Sequence, residues 1–124
     1  MTIALWCVLA AGLMPLLWTG VAKSTAPRFN NRDPRGWQAK LEGRAKRAHA
    51  AHLNSFEAFP LFAVGVLVAQ QAAVPQATVD AVAIGFIALR LTYGICYLTD
   101  AHWLRSLVWF AALACSVGLF AAAA

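Results

Sequence analysis

Four long apolar stretches divide this chain: roughly Thr2–Ala22, Phe56–Val74, Val79–Leu98 and Leu104–Ala124. A helix crosses the hydrocarbon core of a bilayer with about 20 predominantly apolar residues, and each stretch reaches or approaches that length. Strands of a membrane barrel are about half as long and alternate apolar with polar residues, which these stretches do not. The pattern specifies an all-α membrane protein, with four transmembrane helices in a bundle. The expected organisation is one domain over residues 1–124, with helices at about 2–22, 46–74, 77–98 and 102–123 and a basic loop at 23–45. Composition agrees, because 61% of the residues are apolar and only 12% charged, too few polar groups to cover a soluble globule. The first stretch lacks a basic start and exceeds the length of a usual secretory signal core, so it is expected to stay as a helix. Cys7, Cys96 and Cys115 are scattered among apolar residues, without a CxxC pair or nearby histidine cluster. They are expected to act as small buried hydrophobes, and no metal site is expected.

The distribution of charge sets an orientation. Residues 23–47 carry eight cations, Lys23, Arg28, Arg32, Arg35, Lys40, Arg44, Lys46 and Arg47, against only Asp33 and Glu42. The connection from Gln70 to Asp80 has no Lys or Arg, and the short one from Thr99 to Arg105 carries Asp100 and Arg105. Basic residues accumulate in cytoplasmic loops, which puts the first loop in the cytoplasm and both termini on the non-cytoplasmic side. Pro27, Asn30-Asn31 and Asp33-Pro34-Arg35-Gly36 mark that loop as turn-rich rather than helical. Trp37 is expected at the membrane surface, where its amphipathic ring is favoured. The charge is accounted for by orientation and attraction to anionic lipid. No aromatic-interleaved surface or motif points to nucleic acid.

More informative are the polar residues that interrupt the helices. At about 100° per residue, Arg47, Asn54 and Glu57 share one face of the second span. Pro60 follows Glu57, lacks an amide hydrogen and is expected to open or kink the helix there. Arg90, Tyr93 and Tyr97 share one face of the third span, and Arg105 and Ser106 open the fourth, with Trp109 one turn further in. An arginine at bilayer depth costs at least about 2.5–3.5 kcal/mol without a partner, and Glu57 is the partner expected at the depth of Arg90. These residues converge on the loop end of the bundle. They describe either an internal network centred on Glu57 and Arg90 or, since arginines outnumber the glutamate, a pocket for an anionic ligand. His49 and His52 are expected to be solvated or interfacial.

The run Arg47-Ala48-His49-Ala50-Ala51-His52-Leu53-Asn54-Ser55-Phe56-Glu57-Ala58-Phe59-Pro60 resembles the second-helix signature of the MAPEG family, the membrane-associated proteins in eicosanoid and glutathione metabolism. Arg90-x-x-Tyr93-x-x-x-Tyr97 followed by Leu104-Arg105-Ser106 is similar to the family's third-helix end and fourth-helix start. The resemblance follows all four helices in order and spacing and is of a bacterial type. It implies a homotrimer with glutathione as co-substrate, bound between subunits at the cytoplasmic end. Arg47, Asn54, Glu57, Arg90, Tyr93 and Tyr97 would then bind glutathione, with Arg105 or Ser106 holding its thiol as thiolate. It also implies a multi-pass protein of a bacterial inner membrane, acting on a lipophilic small molecule from the lipid.

Three functions follow as expectations. The first is a glutathione-dependent transferase or peroxidase acting on lipophilic electrophiles. The second is a non-catalytic membrane protein that binds a lipid or a partner. The third is a small four-helix transporter using Glu57, disfavoured because Glu57 lies near one mouth of the span and beside arginines. Small residues at Ala81-x-x-x-Gly85 and around Ala111, Ala112, Cys115 and Gly118 fit close helix packing, within or between subunits.

Overall fold

The computed structural model describes residues 1–124 as five helices: α1 (Ile3–Thr25), α2 (Pro34–Ala39), α3 (Gly43–Gln71), α4 (Gln76–Leu98) and α5 (His102–Ala123). All except α2 are long and apolar enough to cross a membrane. At 1.5 Å per residue, the 29 residues of α3 extend about 43 Å, longer than a hydrocarbon core about 30 Å thick requires.

The helix starts and ends have identifiable causes. Thr2 caps α1, its Oγ1 accepting from the Leu5 amide at 3.3 Å. The expected second helix, 46–74, is found as Gly43–Gln71. It stops because Ala73 turns left-handed, at φ 56°, while the Ala73 and Val74 amides donate to the Gln70 and Ala69 carbonyls at 3.1 and 3.0 Å. Asp100, at φ 59°, ends α4 the same way, with the Ala101 amide donating to Cys96 at 2.9 Å. The first loop departs from the turn-rich expectation, since Pro34–Ala39 is helical. Asp33 and Pro34, read as turn residues, act as N-cap and first helical residue; the Asp33 carboxylate accepts from the Gly36 amide at 2.9 Å.

In the bundle, α1 packs on α3 and α4, and α5 on α4 and α3, which leaves α1 and α5 on opposite sides. The main core joins Ala4, Ala11, Ala69, Ala83 and Ala112 to Phe62, Val66, Val79, Phe86 and Leu119. The alanines let backbones approach, and the rings of Phe62 and Phe86 stack at 3.8 Å in the space left. Large apolar side chains such as Leu16, Leu67, Ile95 and Phe110 point outward, which water would oppose and lipid permits.

Polar ties hold the helices at two further levels. At the end where the chain begins, Asp80 Oδ1 accepts from the Ala4 amide and from Gln76 Nε2, both at 2.8 Å, so an α4 carboxylate also caps α1. Gln70 Nε2 joins this cluster by donating to Thr2 Oγ1 at 2.8 Å. Nearer the loop, His52 Nδ1 lies 2.8 Å from Thr19 Oγ1 and 2.9 Å from the Pro15 carbonyl. His52 is therefore a link between α3 and α1 rather than a solvated residue. Its ring stacks on that of His49 at 5.5 Å.

Candidate functional site

The site is assembled from the loop-side halves of α3, α4 and α5. Asn54 and Glu57 lie one turn apart on α3, and Asn54 Nδ2 donates to Glu57 Oε2 at 2.9 Å. Arg90 of α4 is 2% exposed, and its Nη2 donates to Asn54 Oδ1 at 2.8 Å. The direct Glu57–Arg90 pair expected from depth alone is thus replaced by a relay, with the Asn54 amide accepting from the cation and donating to the carboxylate. Both bonds are charge-assisted, so the relay transmits charge pairing without burying both ions in contact. Arg90 Nε is buried and has no hydrogen-bond partner. Just past Glu57, α3 runs unbroken through Pro60, although proline leaves the Phe56 carbonyl without its helical donor.

A stack of cations and phenols continues from Arg90 toward the loop end. The Arg90 guanidinium carbon lies 4.3 Å over the Tyr93 ring, Tyr93 meets Tyr97 edge-to-face at 5.6 Å, and the Arg105 guanidinium carbon lies 4.2 Å over Tyr97. The spacing of three and four residues along α4 produces this column, and Arg105 enters it from the first turn of α5.

Two hollows flank the column. One, of about 130 Å³, is polar at Asn54, Glu57 and Arg90 and apolar at Leu61, Phe86 and Leu113. The other, about 260 Å³ and more open, is lined by Tyr93, Arg105, Ser106, Trp109 and Phe110. Trp109 borders both. It sits four residues after Arg105 on the same helix face, and that spacing is the sequence signal for its role as a wall. The apolar lining from Leu61, Phe86 and Leu113 has no comparable signal, because a leucine facing a cavity and one facing lipid read alike.

The structure thus brings seven of the eight residues named from the sequence into this cluster: Asn54, Glu57, Arg90, Tyr93, Tyr97, Arg105 and Ser106. Ser106 Oγ donates to the His102 carbonyl at 3.2 Å and faces the open hollow. Arg47 lies apart. Its Nη2 reaches the Leu98 carbonyl at 3.4 Å, where a cation complements the negative end of α4.

Chemically, the arrangement offers a buried, oriented cation with an unused donor, a carboxylate held by an amide, and a second cation beside a hydroxyl. It suits a small ligand carrying both carboxylate and amine groups. No curated protein and no solved structure matches the chain. The family model described as MAPEG family matches residues 3–124, essentially the whole chain, and the protein belongs to that family of membrane proteins.

Proposed function

We propose that the protein is a glutathione-dependent transferase or peroxidase acting on lipophilic electrophiles. The observation that carries this reading is the buried Arg90, aligned by Asn54 and Glu57 beside a hollow that holds Arg105 and Ser106. Glutathione has carboxylates, an amine and a thiol: Arg90 suits a carboxylate, Glu57 the amine, and Arg105 with Ser106 the sulfur. Asn54, Glu57 and Arg90 would bind its peptide, and Arg105 or Ser106 would face its sulfur. A free thiol titrates near about 8.5, and an adjacent cation lowers that value and favours the thiolate. In transfer, the thiolate sulfur forms a bond to the electrophilic carbon as the leaving group departs with its electron pair. In peroxide reduction, sulfur attacks one peroxide oxygen, the O–O bond breaks and an alcohol leaves. A second glutathione then closes a disulfide and releases water.

The assembly that fits is a homotrimer in a bacterial inner membrane. The basic loop and the site would face the cytoplasm and the termini the opposite side, with a neighbouring subunit completing the exposed edge of Glu57 and the open hollow. Calorimetric titration of the purified protein with glutathione tests the reading directly, and saturable binding is expected. With 1-chloro-2,4-dinitrobenzene as electrophile, Arg105→Ala should lower kcat about 100-fold while glutathione affinity changes little. Full activity in that variant removes the thiolate role of Arg105.

A non-catalytic member of the family is the second reading. It draws on the relay itself, since Glu57, Asn54 and Arg90 join α3 to α4 without any ligand. It predicts no saturable glutathione binding and loss of assembly in Glu57→Ala.

A further inference from the structure

The loop between α1 and α3 has a fold of its own. Phe29 and Trp37 meet edge-to-face at 5.0 Å, Trp37 Nε1 donates to the Pro27 carbonyl at 3.0 Å, and Lys23 Nζ lies 3.9 Å over the Phe29 ring. Asp33 is engaged in capping α2, and Asn30 Oδ1 accepts from the Arg32 amide at 3.0 Å. Trp37 also packs on the buried cluster of Ala22, Leu41, Ala45 and Ala48, which fastens α2 to the emerging ends of α1 and α3. This leaves Arg28, Arg32, Arg35, Lys40, Arg44 and Lys46 exposed around an ordered scaffold.

We propose that this folded loop is a binding surface for the phosphodiester headgroups of anionic phospholipid. The spanning helices hold it at the bilayer surface, so its cations stand at headgroup level. Trp37, held edge-to-face against Phe29, supplies an amphipathic ring at the same level. Cations in such a position each favour an anionic leaflet about fivefold. Orientation in the membrane requires the charge alone. The scaffold adds fixed spacing between the cations, and through Trp37 it couples their placement to the entry of α3. The inference is independent of the glutathione reading.

The experiment is native mass spectrometry of the detergent-purified protein, titrated with phosphatidylglycerol and, separately, phosphatidylcholine. The intact protein should retain phosphatidylglycerol at least tenfold more than phosphatidylcholine. The triple variant Arg28→Gln/Arg32→Gln/Arg35→Gln should bring the ratio near one. Trp37→Ala keeps every charge but releases the scaffold, and it should lose most of the preference while circular dichroism shows the four spanning helices retained, with at most the short α2 lost. A ratio near one in the intact protein overturns the proposal. So does full preference in Trp37→Ala, which would reduce the loop to unstructured charge. Displacement of the lipid by an equal concentration of inorganic phosphate would also overturn it, by making the site one for free phosphate.

Discussion

Arg90 and Asn54 show how one small amide organises a polar site inside a membrane. With Asn54 removed, Arg90 keeps its burial but loses the oxygen at 2.8 Å, and Glu57 loses its donor. Asn54→Ala should therefore destabilise the protein by about 1–3 kcal/mol, read as a lower thermal midpoint in detergent. Glu57→Gln keeps an oxygen for Asn54 and should cost clearly less, so the order of the two variants tests the relay. A second residue-scale constraint is steric. A Cβ placed on Gly94 would fall within the indole of Trp18, which is itself 4% exposed. Gly94→Ala should cost about 1–3 kcal/mol by overpacking, and adding Trp18→Leu in the same chain should recover part of it in the same melting assay.

Among the elements, α3 and α4 both end on non-glycine residues in the left-handed conformation, Ala73 and Asp100. For an L-residue that conformation costs roughly 1–2 kcal/mol, and glycine avoids it. Ala73→Gly should raise stability by up to about 1 kcal/mol after the extra freedom of glycine in the unfolded chain is set against it, as measured by thermal denaturation. Without a glycine there, the sequence carries no mark of where α3 ends. An Ala-Ala-Val run continues the apolar pattern past Gln71, and nothing in it marks the turn. At α2 the signal was present but ambiguous, since Asp-Pro-x-Gly suits a turn and a capped helix equally. Packing of Trp37 on Ala22 and Leu41 resolves it as a helix.

Across the whole molecule, the charged side chains other than Asp80 lie toward the end that carries the basic loop, and that end also holds the candidate site. The proposed orientation has a direct consequence. A cysteine introduced at Arg32 should be labelled by a membrane-impermeant maleimide in inside-out vesicles and stay unlabelled in intact spheroplasts; labelling in the spheroplasts would reverse the topology. The proposed trimer is consistent with α5, whose Trp103, Leu107 and Phe110 are 79%, 69% and 63% exposed beside the hollow at Arg105 and Ser106. Cross-linking in membranes should give a three-chain species, and a dimer limit would argue against it.

By itself the sequence determined that the chain spans a membrane with four helices and that most of its charge gathers toward one end. Burial of apolar length and the cost of intramembrane charge act on any arrangement of these residues. Helical spacing likewise placed Arg90, Tyr93 and Tyr97 in one column and Asn54 beside Glu57. What only the tertiary structure decided were the partners across helices: Asn54 rather than Glu57 for Arg90, the α4 carbonyl end for Arg47, α1 for His52, and α1's own amino end for Asp80. Each choice depends on helix rotation and approach within a few ångströms. Those are set by where alanines let backbones meet and where Trp18 fills the space over Gly94, and residue type and period along the chain do not carry that information.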